Sequence, residues 1–152
     1  MVDNTGRYMS LIQVNQEHYD FNKYVNTDRW MGYHQQICEI LKTGSTKILE
    51  IGVGRGITKA VLNHLGLHVI SMDIDPELKP DVLGSLLKMP FKDKEFETTV
   101  CFQVLEHLPY SQFIEALNEL KRVTSKTVLL SLPDSRFMWS IRFRLPFVGK
   151  KY

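Results

Sequence analysis

Lys47 to Gly56 reads KILEIGVGRG, an apolar run interrupted by Glu50 and followed by glycines at 52, 54 and 56. No other stretch limits the fold so tightly. Residues 47–51 have strand character and 57–65 have helix character. Between them, the glycines form a turn with no side chains to keep a ligand off the backbone. A nucleotide-like ligand fits such a turn, and the spacing selects among nucleotides. A dinucleotide site favours G-x-G-x-x-G, whose third glycine lets the next helix approach and aim its N-terminus at a pyrophosphate. Here that slot is Ile57. Glu50, two positions before the first glycine, would repel a phosphate but can accept a hydrogen bond from an ammonium or an ordered water. The expected ligand has a cationic end and no phosphate.

A second acid agrees with this. The apolar run at 67–72 ends in Asp73. In doubly wound sheets an acid at the tip of the second strand, about 20 residues past the glycine turn, accepts from ribose hydroxyls. Asp73 stands at that remove from Gly52 and is expected in that role, with Ile74 against an adenine face.

These features, with the later runs MPFKDKEFETTVCFQVLEHLPY and VLLSLPDS, resemble a class I S-adenosylmethionine-dependent methyltransferase, of the type 11 kind, over roughly Arg29 to Ser135. The resemblance implies S-adenosylmethionine as cofactor. Glu50, Gly52 and Gly54 would hold its methionine part and Asp73 its ribose, with Val53 and Gln103 completing the lining. Ser85 stands where relatives carry an acid that accepts from the adenine amine, and the Leu86 backbone would read a ring nitrogen; the alternative is a plain loop serine. Arg29, in the helix that precedes the strand of Glu50, corresponds to an arginine that binds the methionine carboxylate in several relatives; the alternative is an ordinary surface arginine.

Glu106 and His107 follow the fourth strand, where the transferable methyl should point, and are candidates for proton removal or substrate hydrogen bonding. The alternative is that the pair shapes the loop. Metal-assisted relatives carry E-x-x-E-H here, and this chain has Gln103 at the first acid, so no metal site is expected.

The rest of the chain reads as strand, helix, strand, repeated: an α/β doubly wound parallel sheet, Rossmann-like, in order 3-2-1-4-5. A helix from Thr27, capped by Thr27 or Asp28 and ended by Gly44, carries Trp30, Tyr33, Ile37, Ile40 and Leu41 at helical spacing. Ile57, Ala60, Val61, His64 and Leu65 trace one face of the next helix, which Gly66 can end. Pro76 and Pro80 leave only a short, irregular second crossover. Strands are expected near 81–83, 96–102 and 126–132, with a helix after Ser111.

The resemblance implies two further strands, six and seven, and the sequence runs only a short way past strand five, to Tyr152. They are expected to be missing or truncated, in a fragment of a longer protein or a chain that self-associates through the exposed strand-five edge. The expected division is an N-terminal arm over 1–26, a cofactor-binding core over 27–135 and a basic aromatic tail over 136–152. His18, Tyr19, Tyr24, Trp30 and His34 could form a lid over the site or pack on the sheet.

With 152 residues and 43% hydrophobic content, the chain can bury one core. The net charge of +2 hides an asymmetry: the tail holds five of the 19 basic groups and no acid, so the rest of the chain is net acidic. That tail could touch membrane or nucleic acid, or fold over the active site, which is the favoured reading. Two cysteines and no apolar run long enough to span a bilayer predict a reducing, cytoplasmic setting without a membrane anchor. The expected activity is methyl transfer to a small-molecule acceptor. The competing readings are a catalytically silent cofactor-binding or interaction module and an RNA methyltransferase.

Overall fold

The computed structural model describes residues 26–133. The expected arm, apart from Asn26, and the basic tail lie outside these residues, as do His18, Tyr19 and Tyr24. Among the described residues the elements run α1 (Thr27–Lys42), β1 (Lys47–Ile51), α2 (Ile57–His64), β2 (His68–Asp73), β3 (Val82–Leu83), β4 (Phe96–Phe102), α3 (Phe113–Val123) and β5 (Thr124–Ser131). Short 3-10 turns at Pro76–Leu78, Leu105–His107 and Tyr110–Gln112 fill the connections. All strand pairs are parallel, in the order β3-β2-β1-β4-β5.

Strand alternation sorts side chains to the two faces of this sheet. One face packs Leu49, Ile51, Met72, Phe96 and Cys101 against Ala116, Leu120 and Val123 of α3. The other packs Ile48, Val69 and Val100 against Ile40 of α1 and Leu62 of α2. The buried threonine hydroxyls of β4 and β5 are paired. Thr98 donates to Ser45 at 2.8 Å, and the Thr124 hydroxyl lies 2.6 Å from both the Thr99 hydroxyl and the Leu120 carbonyl. Cys101 is fully buried, and burial pushes its thiol up to about 12, with Glu106 adding to the effect.

Two local expectations need correction. Asn26, not Thr27 or Asp28, caps α1, its side chain accepting from the Arg29 N–H at 2.9 Å. The buried face of α2 is Thr58 and Leu62, whereas Leu65 is 52% exposed and Ala60 and His64 face solvent. A two-turn helix with apolar residues at 57, 61, 62 and 65 has two competing stripes, and contact with Ile40 and Val69 selects the one through Leu62. Trp30 is 53% exposed and meets Tyr33 edge-on at 6.4 Å, and His34 is exposed, so neither Trp30 nor His34 packs on the sheet.

Candidate functional site

The glycine turn links β1 to α2 with Gly52, Gly54 and Gly56 all at positive φ. Gly52 carries the strictest requirement. Its φ is 84°, its N–H donates to the Met72 carbonyl at 2.9 Å, and a Cβ there would sit 2.4 Å from Val104 Cγ2. The turn is therefore pressed against both the end of β2 and the loop after β4.

Register places the two acids together. Glu50 pairs with Ser71 across β1 and β2, so Asp73, two positions on, shares its face of the sheet. Asp73 Oδ2 accepts from the Val53 N–H at 2.8 Å and Oδ1 from the Asp75 N–H at 3.0 Å. Burial raises its pKa against the pull of those amides.

Glu50 is only 5% exposed, and its Oε2 has no hydrogen-bond partner. Burial is the largest influence, and it pushes the carboxyl up to about 8 despite Lys59 and the Thr58 hydroxyl, which favour the ionised form. Lys59 is engaged elsewhere: its ammonium lies 2.5 Å from Asp81, which also accepts from the Ser71 N–H at 2.7 Å and the Ser71 hydroxyl at 2.8 Å.

A cleft of about 720 Å³ opens over the strand tips. Arg29, Glu50, Gly52, Val53, Gly54, Asp73, Ile74, Ser85, Leu86, Gln103 and His107 all line it. Glu106 does not, and it is exposed. The 3-10 turn explains the split, because three residues per turn point successive side chains about 120° apart. Leu105 enters the core, Glu106 faces solvent and His107 faces the cleft. Ser85 is partly engaged, its hydroxyl accepting from the Leu87 N–H at 3.3 Å. Gln103 holds a φ of 56°, unusual for a residue with a side chain, and its N–H meets Ser131 O and Oγ, each at 3.2 Å.

A methyltransferase domain family matches residues 49–132, more than half of the chain. The chain belongs to this family. This methyltransferase domain is similar in structure to magnesium protoporphyrin IX methyltransferase of Synechocystis PCC 6803, solved with bound SAM, with a TM-score of 0.60 and 17% identity. That match covers 82% of this chain and 66% of the other. A SAM-dependent methyltransferase from Archaeoglobus fulgidus gives a TM-score of 0.55 at 21% identity, covering 63% and 48%. At these identities the likeness concerns the fold. A 42-residue stretch is 40% identical to an uncharacterised protein of Methanocaldococcus jannaschii, covering 28% of this chain and 17% of that one. The chain spans less than two thirds of the length of each of these relatives.

Several cleft residues of the methyltransferase domain escaped sequence reasoning. Tyr33 and Gln36 follow Arg29 at spacings of four and seven, the same helical stripe, so the signal was present. Asp75 is buried, caps the turn at Pro76 by accepting from the Glu77 N–H at 2.9 Å, and stands beside Asp73. It precedes Pro76, a position whose local chemistry signals a turn and carries no mark of the cleft. Asp28 and Glu39 also line the cleft, so among the described residues five acidic side chains face it against the guanidinium of Arg29.

Proposed function

We propose that this chain is the cofactor-binding core of an S-adenosylmethionine-dependent methyltransferase acting on a small-molecule acceptor. The observation that carries the reading is the pair of acids on one face of the sheet: Glu50 with a buried, unpartnered oxygen and Asp73 tied to the glycine turn. A cleft rich in carboxylates favours a cation. Glu50 Oε2 suits the α-ammonium of an amino acid. The Asp73 oxygens keep lone pairs beyond their backbone amide bonds, enough to accept from two ribose hydroxyls. Ile74, Leu78 and Leu86 supply apolar surface for a flat base, and Arg29 suits a carboxylate.

Bound there, S-adenosylmethionine supplies a methyl group on a positively charged sulfur. The chain contributes alignment, exclusion of water and the handling of one proton. Alignment in well-oriented cases is worth roughly 7 to 11 kcal/mol, so few reacting side chains are needed. His107, on the cleft wall after β4, takes the acceptor's proton. A volume of about 720 Å³ suits a nucleoside-sized cofactor with a compact acceptor beside it.

Isothermal titration of S-adenosylmethionine into residues 1–152 should show binding. Asp73→Ala should weaken it by about 1 to 3 kcal/mol, the scale of lost charged hydrogen bonds. Equal affinity in the variant would remove the assignment. A second reading is a domain that holds cofactor without turnover, motivated by Ser85 and Gln103 standing where relatives carry acids. Methylation of any member of a broad small-molecule panel by the full-length gene product would exclude it, and methylation confined to RNA would replace the small-molecule acceptor.

A further inference from the structure

Two buried side-chain oxygens among the described residues lack a partner, Glu50 Oε2 and Gln112 Oε1, and of the two residues only Glu50 lines the cleft. Native proteins rarely leave such an atom orphaned unless a ligand or water completes it. The nearby cation does not complete it: Lys59 on α2 is held against both oxygens of Asp81 at 2.5 Å and lies 3.3 Å from the Ser71 hydroxyl.

We propose that Glu50 is a proton-exchange latch: its carboxyl surrenders a proton when the α-ammonium of the cofactor seats against its buried, unpartnered oxygen. This rests on the cofactor reading above. The latch makes cofactor affinity rise with pH through the neutral range.

The setting fits an exchange of this kind. The groups acting on Glu50 are Lys59 and Thr58 from α2, which favour the carboxylate, and Asp73 of β2 and Asp81, which oppose it. Burial opposes it more strongly than either acid and sets the empty-cleft value at about 8. Among the described residues the other titratable or charged groups on the cleft wall are Asp28, Arg29 and Glu39 of α1, with Asp75 and His107 from the loops. Among these only Arg29 carries a permanent positive charge, and none of the acids helps Glu50 to ionise. An incoming ammonium adds the missing cation, and the carboxylate form then wins. By linkage, a ligand that displaces a proton gains up to roughly tenfold in affinity per pH unit below the empty-cleft value, and nothing above it.

The test uses S-adenosylhomocysteine, whose amino-acid end is intact, titrated calorimetrically into residues 1–152 at several pH values between about 6 and 9, in buffers of different ionisation enthalpy. The dependence of heat on buffer counts protons. The expected result is release of close to one proton per ligand at the acid end, fading to none at the alkaline end. Methylthioadenosine, which lacks the amino-acid end, should bind with no release. Glu50→Gln should bind S-adenosylhomocysteine more weakly, with flat pH dependence and no release. Binding by the unaltered chain without proton release, or equal release from Glu50→Gln, overturns the latch and leaves the cofactor reading standing. Absence of any binding by the unaltered chain overturns both.

Discussion

Gly52 shows how much of the site depends on a single missing methyl. Both its backbone angle and the overlap that an added Cβ would make with Val104 Cγ2 disfavour a side chain. Gly52→Ala should lower unfolding stability by more than about 1 to 3 kcal/mol, from strain and overlap together. Adding Val104→Ala should restore only the overlap, because the φ of 84° remains. Equal stability of Gly52→Ala and the parent in denaturant titration would contradict this. That Gly52 lies in the turn between β1 and α2 was legible from its place after an apolar strand; its closeness to Val104, which belongs to the loop after β4, was not. Glu50 is similar. Its type and position announced a role in the cleft, but its burial and lone oxygen depend on α2 closing above it.

Among the elements, β3 is the weakest, spanning only Val82–Leu83. The Asp81 carboxylate extends it by taking the Ser71 N–H that a longer strand would have paired. No periodicity reveals such a side-chain splice, so the sequence showed a brief strand there without the means of its attachment. A comparable device anchors the loop before β4. Arg122 of α3 donates to the carbonyls of Phe91 and Met89 at 2.7 and 3.0 Å, and pairs with Glu119 and Asp93. Glu119 in turn accepts from the Met89 N–H at 2.8 Å. Arg122→Leu leaves those carbonyls without their donor and should cost about 1 to 3 kcal/mol. Hydrogen exchange should quicken first at residues 88–94, and exchange that quickens evenly along the chain would argue against a local anchor. The α2 stripe failed for a related reason: two turns are too few for periodicity to choose a face without the partner helix.

For the molecule as a whole, two glutamates shape the response to pH in opposite senses. Glu97 joins β4 to its neighbours through Lys126 at 2.5 Å and the Thr46 N–H at 2.7 Å, and Lys126 foremost holds it down at about 2. A lowered value gives stability above the ordinary glutamate range that is lost as pH falls toward 2. Glu50, raised from 4.5 to about 8, works the other way: the folded state binds the extra proton, so stability falls as pH climbs between those values. The thermal midpoint of the unliganded chain should therefore peak at about pH 5. Glu50→Gln should flatten the alkaline limb and Glu97→Gln the acid limb; a scanning fluorimetry profile unmoved by both would refute this. The other whole-molecule feature is the edge of β5, unpaired among the described residues, with Leu130 41% and Leu132 50% exposed. An apolar edge of this kind is a template for pairing. Residues 1–152 should associate with rising concentration in sedimentation velocity, and Leu132→Lys should reduce it; a monomer at every concentration would end that expectation.

Local chemistry settled the glycine turn, the strand that feeds it, the acid at the tip of β2 and the parallel order, because backbone freedom, alternation and turn residues act over a few positions. Long-range contact decided the rest: which stripe of α2 is buried, why Glu106 leaves the cleft while His107 enters it, and how Lys59 is drawn away to Asp81. Those outcomes depend on atoms brought together from distant parts of the chain, and burial, the quantity that sets the state of Glu50, exists only once the layers have closed.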